Sequence, residues 1–312
     1  MRSARKWSAP ALTMVVFVVL VWRLGTGPFI GGLEAVDGRA LLVAVAIGFV
    51  TTVCGAWRWT VVARGLGLRL PLSTAVAAYY RALFLNLTLP TGVAGDVHRG
   101  VSHGRDARDV SRGLRAVVWE RGAGQVVQIV LTVVVLLILP SPVRSSMPFV
   151  AAAALVLTLG AVLLGRLRGG GSRWTRLRNA VASDIRAGVL HRDALPTIVL
   201  ATTVAVVGYT VLFLVAARTV GVTAPVSRLL PLALLAVLAM VLPSVAGWGP
   251  REGATAWVFA AAGLGAAQGA ATAVAYGVLA LAAFLPGAVV LVAGWLPRPR
   301  VPKFRPEGAT DG

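Results

Sequence analysis

The segment LPSVAGWGPRE, residues 242–252, interrupts a long apolar run with residues that break helices. Pro243 and Pro250 lack the backbone N–H that a helix interior needs, while Gly247 and Gly249 tolerate dihedrals that other residues avoid. Pro250 also suits the first position of a helix. The segment therefore predicts a broken helix whose second half begins near Pro250 and directs its backbone N–H groups, which attract anions, into the protein.

The two charged residues that close this segment allow two interpretations. Arg251 would add a full positive charge to an anion site at the helix start. Alternatively, Glu252 caps its own helix and Arg251 extends toward water along its aliphatic stem. The sequence leaves both open.

A second segment, LPTGVAGDVHR at residues 89–99, has nearly the same order of residues. Pro90, Gly92 and Gly95 predict the end of a helix, and Asp96 is placed to cap the next one. An internal duplication would explain the likeness, since many transporters have repeated halves with broken helices at the substrate site. Chance is the alternative, because Leu, Pro, Val, Ala and Gly are common in this chain.

The composition indicates an integral membrane protein. Hydrophobic residues make up 57% and charged residues 13% of the 312 positions, and the mean hydropathy is +0.82. A soluble domain is roughly half apolar and about a quarter charged. The net charge of +19 is spread over several short loops, which membrane topology and anionic lipids explain better than nucleic-acid binding does.

Uncharged runs predict the membrane spans, because about 20 apolar residues are needed to cross the hydrocarbon core. The last run is long enough for two crossings with a turn near residues 264–268. The predicted fold class is all-α, a polytopic membrane helix bundle of about eight transmembrane helices, some of them broken. The runs are 7–22, 40–57, 122–143, 145–165, 194–217, 229–250 and 253–297.

Residues 70–95 form a different apolar segment, with Arg81 in the middle and proline and glycine at the end. Basic loops flank the segment on both sides, so both of its ends belong on one side of the membrane and the segment is predicted to be re-entrant or interfacial. The same rule predicts that the basic loops and both termini are cytoplasmic and that the protein lies in the cytoplasmic membrane.

Residues 1–296 are predicted to form a single transmembrane domain. Its largest basic loop, residues 166–193, has apolar residues at helical spacing and predicts an amphipathic helix on the cytoplasmic surface or a solvated linker helix. Residues 297–312 are rich in proline and polar residues and are predicted to be disordered.

Charged and amide side chains at membrane depth mark a substrate or ion path, because burying them is costly. A polar stripe that starts at Glu120 and Arg121 and continues to Gln125 and Gln128 is predicted to face the bundle interior, with hydrogen bonding between helices as the alternative role. The predicted headgroup-binding residues, near the two breaks and on this stripe, are Arg81, Asn86, Asp96, Arg99, Glu120, Arg121, Arg251 and Glu252.

Motifs for other chemistry are missing from the sequence. It contains no phosphate-binding loop for ATP, no HExxH or GxSxG pattern and no dinucleotide fingerprint, and its three histidines are too scattered for a metal site. We therefore expect no enzymatic activity, no cofactor and no metal. An enzyme that uses Asp96 or His98 as a base toward a lipid phosphate is a weaker hypothesis, because no nucleophile stands beside them in a recognisable pattern.

The chain resembles the flippase-like transmembrane domain of lysylphosphatidylglycerol synthases over residues 10–296. Two residues depart from the family pattern: Ala94 stands where a glycine is usual, and Pro250 stands where a small aliphatic residue is common. Four groups in order carry the resemblance: Phe84, Asn86, Leu89 and Pro90; Gly92, Gly95, Asp96 and Arg99; Glu120 and Arg121; and Pro243, Ser244, Gly247, Gly249, Arg251 and Glu252, followed by Gly263 and Gly287.

This resemblance implies the movement of a lipid between leaflets, because the sequence has no counterpart of the soluble aminoacyl-transferring domain. The expected partners are anionic or aminoacylated phospholipids or polyprenyl-phosphate lipids. The arginines would bind phosphate, while the three carboxylates would either organise the arginines or bind a cationic group. The alternative function is that of an accessory protein that holds a separate membrane enzyme, a cell-envelope glycosyltransferase or an aminoacyl-lipid synthase, through residues 166–193.

Overall fold

The computed structural model describes residues 25–89, 92–139, 172–240 and 249–293. Predictions for 7–22, 145–165 and 297–312, and for Pro90, Pro243 and Gly247, fall outside these residues. The described residues are helical apart from short connections. The helices are α1 (Gly27–Glu34), α2 (Gly38–Gly65), α3 (Leu72–Thr88), α4 (Ala94–Asp106), α5 (Val110–Ile138), α6 (Ser172–Asp184) with a π-helical turn (Ile185–Val189), α7 (Ala194–Thr219), α8 (Val226–Ala239), α9 (Pro250–Ala261), α10 (Ala266–Phe284) and α11 (Pro286–Ala293).

Four long apolar helices form the frame of the described bundle. They are α2, α5, α7 and the nearly continuous pair α10–α11, each long and apolar enough to cross a membrane. Their outer faces expose large apolar side chains such as Leu42, Phe49 and Val207, as a surface against lipid chains requires. The prediction of an all-α, polytopic membrane bundle is therefore confirmed.

Helices α3 and α4 form the first hairpin. The predicted re-entrant segment, residues 70–95, covers only α3 and the connection that follows it, and α4 lies in what the sequence predicts as a basic loop, so the predicted bounds are wrong. They have 17 and 13 residues, about 26 and 20 Å. The connection between them includes Gly92 at φ 64°, a left-handed conformation that favours glycine. The two helices pack closely, since a Cβ atom at Gly95 would overlap the backbone of Ala82. Both open ends lie where α2 ends and α5 begins: Leu68 donates its N–H to Ala63 at 2.9 Å, and Gly104 packs against Val110.

Helices α8 and α9 form a second hairpin, which opens toward the opposite end of the bundle. Its open ends meet where Nη2 of Arg228 donates to the carbonyl oxygen of Ala262 at 3.0 Å. The helices have 14 and 12 residues, about 21 and 18 Å, so neither crosses a core of about 30 Å. The sequence predicts separate crossings for 229–250 and the start of 253–297. The described residues instead form a hairpin, because α8 ends at Ala239 and α9 begins at Pro250 and returns to the same end of the bundle. The predicted turn before α10 is present at 262–265.

Each hairpin stands between two long helices, and the two sets run in opposite directions. One end of the bundle, called the basic end here, holds Arg64, Arg69, Arg105 and Arg112. In the first set, α2 ends at the basic end, the hairpin α3–α4 opens there, and α5 begins there. In the second set, α7 begins at the basic end, the hairpin α8–α9 opens at the opposite end, and α10 begins at that opposite end and runs back toward the basic end. This is the topology of an inverted repeat. The described ends of the two Leu-Pro segments, Leu89 in the first and Gly249 to Glu252 in the second, lie in the same place in each set, where the two helices of the hairpin are connected.

The basic end of the bundle also holds the described part of the 166–193 segment. The π-helical turn packs on the end of α2, where a Cβ atom at Gly65 would overlap the backbone of Ala187. Asp184 accepts a hydrogen bond from Nε1 of Trp119 and pairs with Arg115, both at 3.1 Å. The predicted surface helix is therefore attached to α5 by polar contacts as well as by apolar packing.

Two helices extend further than their uncharged runs. Helix α2 continues eight residues beyond Trp57, to Gly65, and contains Arg58, which the sequence places in a flanking basic loop. Helix α5 begins at Val110 and includes Glu120 and Arg121 within its length. Charge does not end these helices, because Arg58 and Glu120 neutralise each other inside the bundle.

Candidate functional site

A cavity of about 650 Å³ lies between the two hairpin tips. Gly92, Val93 and Asp96 line it from the first tip, and Met240 and Arg251 from the second. Most of its remaining wall is apolar, formed by side chains of α3, α5, α8 and α10: Leu83, Leu87, Leu114, Val117, Val118, Val237, Ala280 and Phe284.

Asp96 is the acidic residue of the cavity wall and the centre of an ion-pair network. Its carboxylate pairs with Nε of Arg99 at 2.9 Å and with Nη2 of Arg121 at 2.8 Å. Two guanidinium groups on one carboxylate favour its ionised form. Asp96 thereby holds Arg121 in place at the cavity.

Asn86 joins the two helices of the first hairpin beside this network. Its Nδ2 donates to Asp96 at 2.9 Å, and its Oδ1 accepts the backbone N–H of Gly95 at 2.8 Å. Helix α4 begins at Ala94, and its N-terminal flanking residue makes no side-chain cap. The predicted capping role of Asp96 is therefore wrong: Asn86 takes one of the free N–H groups of α4 from the neighbouring helix, and Asp96 is left to bind arginines.

Glu120 links the first hairpin to α2 from a fully buried position on α5. Its Oε2 accepts from Nη2 of Arg99 at 2.6 Å, and its Oε1 accepts from Nε of Arg58 at 2.8 Å. Arg58 also donates to the hydroxyl of Thr202 on α7 at 2.8 Å. Gly124 provides the space for this guanidinium, because a Cβ atom there would meet it at 2.5 Å. One carboxylate thus connects α2, α4, α5 and α7.

Arg99 lies one layer behind the cavity wall. Its guanidinium carbon lies 4.6 Å from the ring centre of Trp59 and 4.5 Å from that of Tyr79, so the aromatic faces stabilise its charge. Its side chain is fully buried. Arg99 therefore reaches a cavity ligand only through Asp96 and does not contact it directly.

Arg251 and Glu252 form the polar part of the second tip. Oε2 of Glu252 accepts the N–H of Gly249 at 2.6 Å and so caps the start of α9, and Oε1 pairs with Arg251. Arg251 lines the cavity, is 5% exposed and lies over the ring of Tyr276 at 5.2 Å. Of the two interpretations, the capping role of Glu252 is present, whereas Arg251 points into the protein and not to water.

A smaller polar cavity of about 80 Å³ adjoins the main one. The two share Arg121, Gln125, Gln128 and Tyr209 as lining residues. Gln128 donates to the backbone of Val237 at 3.3 Å, while the side-chain nitrogen of Gln125 is buried and has no hydrogen-bond partner among the described residues. The predicted polar stripe of α5 therefore faces the interior, as expected.

The structure brings most of the predicted site residues together. Asn86, Asp96, Arg121 and Arg251 line the cavity, while Arg99, Glu120 and Glu252 lie directly behind these residues. Arg81, on α3, is not among the residues that line the cavity. Of the helix-break residues, Gly92 lines the cavity, Gly95 packs on Ala82, and Gly249 precedes α9, which begins at Pro250.

Sequence reasoning missed Arg58, Tyr79, Tyr209 and Tyr276. Arg58 was missed because it directly follows an uncharged run, and a charged residue at that position is typical of a loop. The tyrosines have a recognisable signal: a residue with one polar atom is uncommon in these apolar runs, and all four tyrosines of the chain are at Tyr79, Tyr80, Tyr209 and Tyr276 within helices.

The family model for the lysylphosphatidylglycerol synthase TM region matches residues 7–288. This chain belongs to that family. The match covers both hairpins, the four long helices and every predicted headgroup-binding residue. Membership of the lysylphosphatidylglycerol synthase TM family relates the chain to membrane lipid modification and confirms a multi-pass membrane protein. A search of curated proteins found no match.

The chemistry of this family member's cavity is that of ion pairs and hydrogen bonds. In the described part of the chain, no three His, Cys, Asp or Glu residues lie close enough to hold a metal ion. What the cavity offers a ligand is apolar wall for hydrocarbon and guanidinium and amide groups for oxygen.

Proposed function

We propose that this protein moves a lipid with a charged headgroup between the leaflets of the cytoplasmic membrane, without enzymatic conversion of the lipid. The observation that carries the proposal is the cavity between two opposed hairpin tips. Its apolar wall suits acyl or prenyl chains, and Arg121 and Arg251 approach it from the two halves of the bundle. Arginine is well suited to a phosphate because its planar guanidinium donates two parallel hydrogen bonds.

The inverted arrangement of the two halves supports transport in particular. In transporters with inverted repeats, the substrate lies between the repeats, and the two sides open in alternation. Here each hairpin opens at one end of the bundle and closes against the other hairpin at the cavity. A lipid headgroup held between the tips would be released to one side or the other as the tips separate.

Reconstitution tests this proposal directly. Purified protein is placed in liposomes that contain a trace of fluorescent phospholipid or of fluorescent polyprenyl phosphate, and a membrane-impermeant reductant reports how much label reaches the outer leaflet. We expect faster exchange of at least one lipid than in protein-free vesicles. Absence of exchange for all of them would overturn the proposal.

Variants at the second tip show whether the cavity is the route. Arg251→Ala leaves Glu252 buried without its cation, so the double variant Arg251→Ala with Glu252→Ala is measured beside it. Both should slow lipid exchange. Arg39→Gln is the matched control, because Arg39 is exposed at the far end of α2 and outside the cavity lining. Unchanged exchange in both tip variants would show that lipid does not pass through this cavity.

A further inference from the structure

We infer that the smaller polar cavity binds a small inorganic anion of halide size, such as chloride. The cavity lies between α2, α3, α5 and α7, and its wall is formed within residues 51–58, 79, 121–128 and 202–209. The inference is independent of lipid transport, because it concerns this cavity and not the one between the hairpin tips. It is carried by the side chains of the wall and by the charge of the ion-pair network beside them.

The wall of the smaller polar cavity suits an anion and not a cation. Most of its side chains are polar, and they include the guanidinium groups of Arg58 and Arg121. None of the described side chains that line it is a carboxylate. Hard metal cations bind oxygen ligands, carboxylates above all, and two guanidinium groups repel any cation. A charged ligand of this cavity is therefore negative.

Three groups of the wall have hydrogen-bond donors without an acceptor among the described residues. The first is Nε2 of Gln125, which is buried. The second is the hydroxyl of Thr202, which accepts from Nη1 of Arg58 at 2.8 Å and keeps its own O–H to donate. The third is Nη1 of Arg121, since this residue uses Nε and Nη2 for Asp96, at 3.2 and 3.0 Å. An anion would accept from donors whose burial is otherwise costly.

The ion-pair network beside the cavity has one more cation than it has anions. Its described members are the guanidinium groups of Arg58, Arg99 and Arg121 and the carboxylates of Asp96 and Glu120. One positive charge is therefore left over, and a charge inside a membrane is costly. Water in the cavity would satisfy the donors but would not neutralise this charge, whereas an anion does both.

The size of the cavity limits which anion fits. A volume of about 80 Å³ accommodates a halide ion or a few water molecules but not a phospholipid headgroup. Two glycines make room for the polar side chains of the wall: a Cβ atom at Gly124 would meet the guanidinium of Arg58 at 2.5 Å, and one at Gly55 would meet the ring of Tyr79 at 2.6 Å. The adjoining main cavity gives a small ion a way in.

Thermal unfolding at constant ionic strength tests the inference. The purified full chain in a non-ionic detergent is unfolded in sodium gluconate, which is replaced stepwise by sodium chloride; gluconate is too large for the cavity. We expect the unfolding midpoint to rise with chloride and then level off, by at least about 2 °C in total, because an ion bound only by the folded state stabilises it. Any lipid that copurifies is the same in both salts and cannot cause the difference. Equal midpoints at every chloride concentration would mean that the cavity holds water alone and would overturn the inference.

Variants of the wall show whether chloride acts at this site. Arg121→Gln removes the excess charge and Gln125→Met removes the unpaired donor, so each should raise the chloride concentration for the half-maximal shift about tenfold or more, the effect of one lost hydrogen bond to an ion. Arg121→Lys keeps the charge and should retain most of the response. Gln268→Met, at a half-buried position outside both cavities, is the control for Gln125→Met. An unaltered response in both Arg121→Gln and Gln125→Met would indicate a general salt effect and overturn the inference.

Filling the cavity removes the site without a change of charge. Ala205 lines the smaller polar cavity and not the main one. Ala205→Leu places a larger apolar side chain in it and should abolish the chloride response, whereas Ala46→Leu, at an exposed position of α2, should leave the response unchanged. If Ala205→Leu does not fold, Gln125→Met decides the question. A full response in folded Ala205→Leu would place the anion elsewhere and overturn the inference.

Discussion

Glu120 is the residue on which the described core depends most. One fully buried carboxylate faces the guanidinium groups of Arg58 and Arg99, and Tyr79 adds a hydroxyl at 3.3 Å. A buried pair of opposite charges contributes little over a well-packed apolar pair, but removal of one partner leaves a buried charge unpaired. The loss of stability on removal of the Glu120 carboxylate therefore depends on the two arginine side chains that would remain buried without it.

Glu120→Gln should destabilise the protein by about 3–5 kcal/mol, since neither arginine has another carboxylate that could replace the contact in full. The measurement is the thermal unfolding of purified protein in detergent, followed by tryptophan fluorescence. Glu34→Gln removes a carboxylate that is exposed at the end of α1 and should leave the midpoint unchanged. Equal midpoints for the two variants would contradict the structural role assigned to Glu120.

The two hairpins are the elements that place charge at depth. Each consists of helices that are too short to cross the hydrocarbon core, so the chain turns within the membrane. Lipid cannot form hydrogen bonds with the backbone N–H and C=O groups at such a turn, so the protein itself must provide their partners. The first tip satisfies an N–H of α4 with Asn86, and the second satisfies the N–H of Gly249 with Glu252. The polar side chains at the tips therefore serve the backbone as well as a ligand.

Asn86→Ala should loosen the first hairpin, because it removes the acceptor of the Gly95 N–H and a donor to Asp96. We expect a loss of about 1–3 kcal/mol in the free energy of unfolding and faster proteolysis within residues 89–94. Asn179→Ala, at an exposed position of α6, is the control and should behave like the unmodified protein. Limited proteolysis with mass spectrometry measures both, and an unaltered cleavage pattern in Asn86→Ala would count against this contact.

Gly249→Ala should impair the second hairpin through its backbone alone. Gly249 has φ 114°, a conformation that costs a residue with a Cβ atom about 1–3 kcal/mol. Gly31→Ala serves as the control, because Gly31 is helical and has nothing within 4 Å of an added Cβ atom. A thermal shift for Gly249→Ala alone is expected; equal stability of the two variants would mean that the start of α9 differs from the one described.

At the scale of the whole molecule, two sets of helices face each other with opposite orientation. Each set consists of a long helix, a hairpin and a second long helix, and the hairpins open at opposite ends of the bundle. The cavity lies where the tips meet, so it belongs to neither half alone. This arrangement predicts that the two open ends of a hairpin share one side of the membrane.

Cysteine labelling in intact cells tests that topology. In a Cys54→Ala background, single cysteines at exposed positions Arg69 and Arg105 should react with a membrane-impermeant maleimide only after the cells are opened, since the basic end is predicted to be cytoplasmic. Cysteines at Ser227 and Ala267, exposed near the open end of the second hairpin, should react in intact cells. A different result for the two members of either pair would show that the segment between them crosses the membrane.

The long helices and the positions at which helices stop could be predicted from local composition. Apolar runs predict the long helices, and proline with glycine at 89–95 and 242–250 predicts where helices stop, because both effects act within a few residues. Arg81 and the basic loops predicted a re-entrant segment at 70–95, but its second helix was missed, because α4 at 94–106 is polar enough to be assigned to a basic loop. The second hairpin was missed, because the apolar runs 229–250 and 253–297 are long enough for ordinary spans, and Arg251 and Glu252 between them were taken as the boundary of two crossings.

Local sequence was enough to predict a helical membrane bundle, the two proline- and glycine-rich segments at which helices stop, and the polar residues whose burial in a membrane is costly. How those residues combine depends on the packed bundle: Arg58 pairs with Glu120, Asn86 and not Asp96 caps α4, Arg81 lies outside the cavity lining, and Arg121 faces the cavity. The physical reason is distance along the chain. Helix formation and insertion depend on neighbouring residues, whereas an ion pair depends on which distant carboxylate reaches a guanidinium first, and Arg58 and Glu120 are 62 positions apart.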